Sequence, residues 1–104
     1  MKMLNEVVLV GRLAKKPEVM KNQDGSKFTI INLAVPRSNK NADGEYETDF
    51  INCVASKNIA NSICKYCEKG DLVGVGGEIQ NVDYTAQLQI IVERITFLSS
   101  RQKD

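Results

Sequence analysis

Between residues 4 and 98 the chain is cut by turn-forming residues into short β-branched runs, and a helical period interrupts them only once. Residues 4–13 (LNEVVLVGRL) read as a strand, broken by Lys15, Lys16 and Pro17. Asn22-Gln23-Asp24-Gly25 is a tight-turn signal, after which residues 27–35 (KFTIINLAV) form a second strand. Pro36, lacking an N–H for a ladder, predicts its end. The polar stretch 37–45 reads as a mobile hairpin loop, and 46–55 (YETDFINCVA) as a third strand. In that strand Ile51, Cys53 and Ala55 point to one face, the core. Tyr46, Thr48, Phe50, Asn52 and Val54 point to the other, a mixture of aromatic and polar groups suited to an exposed binding face. Residues 57–69 change period: Ile59, Ile63, Cys64 and Cys67 recur at helical spacing, with Ser56 as N-cap and Gly70 as stop. Strands follow at 72–79, whose glycines predict a bulge or tight bend, and at 87–98.

Five strands with one short helix between strands 3 and 4, in 104 residues, predict an all-β fold: a small closed barrel of the oligonucleotide-binding (OB) type. Closure removes the exposed edges of an open sheet. The barrel is expected over residues 1–98 as one domain, followed by a polar tail at 99–104. The 42% of hydrophobic residues suffices to fill one core.

Charge and reactive residues narrow the function. Fourteen Lys+Arg against thirteen Asp+Glu leave a net charge of +1, so bulk charge does not make this a polyanion binder. Any nucleic-acid role rests on local placement of cations and on stacking. No apolar run approaches the length of a membrane span, and the N-terminus does not read as a signal peptide, so a cytoplasmic location is expected. There is no histidine, which removes Ser-His-Asp and Cys-His arrangements; with no recognisable carboxylate pair, an enzyme is not expected. Cys64 and Cys67 form a C-x-x-C, but a structural zinc site needs four ligands, and Cys53 would be only a third. The cysteines read as small apolar packing groups, so no metal and no cofactor are expected. A thiol-redox or metal protein is the least favoured reading.

The stretches NEVVLVGRL (5–13), KPEV (16–19), NLAVPRS (32–38), TDFINCVASKNIAN (48–61), KGDLVGVGGEI (69–79) and VERITFL (92–98) together resemble the bacterial single-stranded DNA-binding protein (SSB) family, in the family's order and over almost the whole chain. The resemblance implies an OB-fold that binds single-stranded DNA with little sequence preference in replication, recombination and repair, usually as a homotetramer and associated with the nucleoid. A tetramer is expected here, with a dimer as the fallback. The first strand (Val7, Val8, Leu9, Val10) is apolar on both faces, one for the barrel and one for a partner subunit.

Single-strand binding needs rings for unstacked bases and cations for phosphates. Phe50 matches a stacking aromatic of the family; Tyr84, between the last two strands, matches another; Tyr46 shares the Phe50 face. Arg12, Lys15, Arg37, Lys40, Lys57 and Lys69 border strands or loops that the family uses to hold DNA, Arg37 and Lys57 foremost because they flank the third strand. Asn52 is placed to hydrogen-bond a base or phosphate. Phe28 and Phe97 read as core or interface, and Tyr66 as half-buried on the helix.

The chain also departs from the family. Asn39 and Ser56 stand where aromatics are common, tryptophan is absent, and the fourth strand and its hairpin read EIQNVDY where basic residues are usual. Weaker binding or a shorter footprint follows. The family's long tail with its acidic tip, which recruits replication partners, has no counterpart in SSRQKD, so tail-mediated partners are not expected. The alternative is an OB-fold protein-interaction module of primosomal type with weak DNA binding.

Overall fold

The computed structural model describes residues 3–99. Its elements run β1 (Val7–Leu13), β2 (Met20–Lys21), β3 (Lys27–Lys40), β4 (Tyr46–Ser56), α1 (Lys57–Tyr66), β5 (Leu72–Asn81) and β6 (Leu88–Phe97). Neighbouring strands follow the order β1-β5-β6-β4-β3-β2, and β1 also pairs with β3 through Arg12↔Ala34 and Leu13↔Leu33. That last pairing closes five strands into a barrel, leaving the two-residue β2 outside as a hairpin partner of β3.

Alternation builds the interior. Ile31 and Leu33 from β3, Cys53 and Ala55 from β4, Val73 and Val75 from β5, and Ile90 and Val92 from β6 all point inward and are buried. Leu13 joins them from β1. The helix lays its apolar stripe over one end of the barrel, where Ala60 and Ile63 are fully covered.

Three elements differ from expectation. β3 does not stop at Pro36 but runs to Lys40, with Pro36 opposite Thr48 and a register irregularity before Lys40↔Tyr46. Past Leu33 and Ala34 this strand has β4 on one side only, and an edge or a bulge is where a sheet tolerates proline. The turn at 22–25 is flanked by the unforeseen β2. The helix ends at Tyr66, short of the expected limit at Lys69: Cys67 is already extended (φ −111°, ψ 148°), its N–H still donating to the Ile63 carbonyl at 2.9 Å. Gly70 does adopt a left-handed φ of +93°, as part of the turn into β5, where its N–H donates to the Leu13 carbonyl. Of the expected tail only Ser99 is described, paired by backbone and hydroxyl to Leu72; the rest lies outside the described residues.

Candidate nucleic-acid interface

Strand β4 carries the centre of the site. Its outward face presents Thr48, Phe50, Asn52, Val54 and Ser56 in alternation, with about 13 Å from Phe50 to Val54 at ~3.3 Å per residue. Phe50 lies opposite Ala34, a side chain too small to cover it, and stays 64% exposed. Asn52 lies opposite Asn32, whose Nδ2 donates to the Asn52 Oδ1 at 3.0 Å. This amide pair leaves an N–H₂ of Asn52 and the Asn32 oxygen facing solvent beside the ring. Asn32 was not singled out from sequence, because its significance comes from register across a hairpin.

At one end of β4 the barrel opens. β4 pairs with β6 only through Cys53↔Ile90 and Val54↔Ile91, so the two strands diverge below Asn52. The opening is a cleft of about 430 Å³, rimmed by Phe50, Asn52 and Leu88 and floored by Leu9, Ile51 and Ile90. Tyr84 projects from the β5–β6 turn and is fully exposed. That turn is tied by Val82 N–H to the Gln87 carbonyl (2.8 Å) and by the Thr85 hydroxyl to the Val82 carbonyl (2.6 Å), with Asp83 at φ +50°. Tyr46 is exposed at the start of β4, with the Lys40 Nζ 5.7 Å from its ring centroid.

The cations divide into two groups. Lys15, Lys57 and Lys69 are exposed around the other end of the barrel, and the Arg12 Nη1 there donates to the Gly70 carbonyl at 3.0 Å. Lys57 opens the helix with φ +55°, a left-handed conformation that a residue with a Cβ adopts at a cost. It also stands close enough to Asp24 to add a small pull to a carboxyl already held below its ordinary range by the Ser26 hydroxyl and N–H. Arg37 and Lys40 lie on the β3–β4 hairpin instead.

Arg37 is not open to a phosphate on its side-on edge. Its Nε donates to the Asp49 Oδ2 and its Nη2 to the Asp49 Oδ1, both at 3.0 Å. These bonds hold Asp49 below the ordinary carboxylate range and raise the guanidinium further. Asp49 alternates with Phe50, so the pair sits on the opposite face of the ribbon from the ring. Sequence reading singled out Arg37 and missed Asp49. Tyr66, expected half-buried, is 60% exposed, its ring tilted against Phe97 at 6.2 Å.

Cys53 and Cys67 are packing groups by environment, while Cys64 is half-buried. Burial pushes the Cys53 thiol up to about 11, and burial, with Asp71 and Cys64 nearby, does the same to Cys67. Among the described residues no three metal-ligating side chains converge, and no helix is long and apolar enough to cross a membrane.

A closed barrel with an outward aromatic-and-amide row defines an OB-type ligand-binding module. Residues 4–98 match the Single-strand binding protein family, and the chain belongs to that family. It is 36% identical to Single-stranded DNA-binding protein B of Bacillus subtilis (strain 168), over 98% of this chain and 96% of that protein. It is 40% identical to Single-stranded DNA-binding protein 1 of Staphylococcus aureus (strain COL), over 95% of this chain but 64% of that one, so it spans just under two thirds of the longer relative. A Plasmodium falciparum SSB solved in complex with single-stranded DNA superposes with a TM-score of 0.80 at 25% identity, covering 95% of this chain and 98% of that one.

Proposed function

We propose that the barrel binds and protects single-stranded DNA with little sequence preference, in replication, recombination and repair, and that it catalyses no reaction. The observation that carries this reading is Phe50: a large ring left 64% exposed in mid-strand, beside an amide pair with free hydrogen-bonding capacity. Bases stack on the rings of Phe50 and Tyr84, with Tyr46 at the margin. Asn52 meets base edges. Arg12, Lys15, Lys57 and Lys69 at one end, and Lys40 and Arg37 at the other, meet phosphates. The domain is residues 1–98, working in the cytoplasm, associated with the nucleoid.

Anisotropy of a labelled oligothymidine, followed during titration with the protein, tests this. A stacked base is worth about 1–3 kcal/mol, so Phe50→Ala and Tyr84→Ala should each weaken binding by roughly 5- to 150-fold. Affinity should fall with salt at about 0.7 log units per phosphate contact per decade. Unchanged affinity in both variants would defeat the stacking assignment.

A second reading, a primosomal-type interaction module with weak DNA binding, is favoured by one feature. Residues 37–49 carry Arg37 and Lys40 against Asp43, Glu45, Glu47 and Asp49, a net negative hairpin. Wild-type protein that is an intact oligomer yet binds oligothymidine only above tens of micromolar supports this reading over the first.

A further inference from the structure

We infer that Asp49 is a built-in competitor for phosphate: its carboxylate fills the fork of Arg37 in the free protein, and a bound strand takes that place only by displacing it. The inference rests on the single-strand reading above and adds a residue that weakens that grip.

The geometry is specific. A guanidinium offers five N–H donors and receives an oxyanion best through two parallel bonds to one edge. On Arg37 the Nε/Nη2 edge is engaged in that way, both bonds at 3.0 Å. A carboxylate and a phosphate present the same pair of anionic oxygens to such an edge, so the two ligands exclude one another there. The surroundings add to the exclusion. Glu47 lies near enough to raise the Arg37 guanidinium further, so a phosphate approaching this cation meets two carboxylates. The side chains are also accessible, at 56% and 47% exposure, so the pair can open without unfolding anything. An exposed ion pair is weak. Asp49 therefore attenuates binding and does not block it.

The opposite arrangement is physically distinct. If Asp49 merely held the guanidinium so that its remaining Nη1 edge faced DNA, it would be a positioning residue, and removing it would weaken binding. The sign of one substitution separates the two.

Asp49→Asn keeps the shape of the side chain and removes the charge. The test is oligothymidine affinity across a salt series for the full chain and for Asp49→Asn, Arg37→Ala and the double variant, with thermal unfolding by circular dichroism to establish that each is folded. Asp49→Asn should bind about two- to five-fold tighter at low salt, the scale of an exposed ion pair. Its salt dependence should steepen by up to about 0.7 log units per decade, because no displaced carboxylate then takes up a cation as Arg37 meets the phosphate. In the Arg37→Ala background the same substitution should give no such gain. Weaker binding by Asp49→Asn, unchanged binding, or an equal gain without Arg37 each overturns the inference while leaving single-strand binding standing. No binding by the wild-type chain and by Asp49→Asn alike overturns both.

Discussion

Gly76 and Gly77 stand side by side in β5, and a methyl group on each would meet different matter. At Gly77 it would run into the backbone carbonyl of Ile91 on the neighbouring strand, which cannot move without breaking the ladder. At Gly76 it would meet the guanidinium of Arg94, the far end of a flexible side chain. The register shift between the two residues accounts for the difference: β5 advances one residue while β6 advances two, from Arg94 to Val92, and this bulge at Glu93 brings the Ile91 carbonyl close against Gly77. Gly77→Ala should therefore cost about 3 kcal/mol or more, and Gly76→Ala less than about 1 kcal/mol. Thermal unfolding at one fixed protein concentration checks this: the Gly77 variant should melt lower by about 12 °C or more. A Gly77→Ala protein melting within a few degrees of wild type would refute the close approach. An irregularity at this place was legible in the sequence, because three glycines in an otherwise β-branched run weaken a strand unless the ladder bulges or bends at them, but the extra residue, Glu93, sits on β6 and not on the glycine strand as expected. Which of them could not accept a side chain was not legible, since that depends on the partner strand.

The β4–α1 junction shows what an element's own pattern reveals and what it conceals. The outward direction of Phe50 and Asn52 follows from alternation alone, and the helix from the spacing of Ile59 and Ile63. Ser56 does occupy the N-cap, but its side chain makes no cap bond, and the chain instead enters the helix through Lys57 at φ +55°. Cys67 fits the helical spacing; it is buried, but from an extended backbone that turns the chain toward β5. Period reports which side chains are buried and not how the backbone gets them there. The pairs Asn32–Asn52 and Arg37–Asp49 were illegible for a related reason: each depends on the register of β3 against β4, which a single strand does not encode. Lys57 yields a prediction at this scale. Glycine accepts its backbone conformation without the Cβ clash, so Lys57→Gly should raise stability by about 0.5–1 kcal/mol despite a freer unfolded chain. It should also remove one phosphate contact, lowering the salt slope by about 0.7. Urea unfolding and a salt series of oligothymidine titrations measure the two effects. Destabilisation beyond ~1 kcal/mol would mean that the lysine side chain supports the junction more than its φ burdens it.

At the scale of the whole molecule, β1 meets β3 only through Arg12 and Leu13, so the Val7–Gly11 stretch carries β5 on one side alone and its outer face is open to a second copy. That face is suited to it. Val8 and Val10 on β1 are 69% and 50% exposed, and directly across from them on β5 are Gly76 and Gly74. Beyond the glycines, β6 raises Arg94 and Thr96. The result is a valine ridge beside a shallow trough of about 280 Å³ with Leu98 at its end. A ridge and a trough on one surface can interlock with their own copy about a two-fold axis, each valine pair entering the other subunit's trough. Such an assembly places several Phe50 faces on one particle, and linked sites raise the affinity for a long strand without any new contact. Val8→Lys combined with Val10→Lys sets like charges facing each other across that axis. The wild-type chain should scatter light as a tetramer or dimer of the 11.6 kDa subunit, and the double variant should approach the single-subunit mass. Affinity for an oligothymidine spanning one subunit should hold, and affinity for one spanning several should drop by about ten-fold or more, by the scale of ~10²–10⁴ that avidity supplies. A double variant of unchanged mass would place the interface elsewhere on the barrel. A wild-type chain already monomeric would leave Val8 and Val10 exposed with no subunit to cover them, and the gain from linked sites would fall with the assembly.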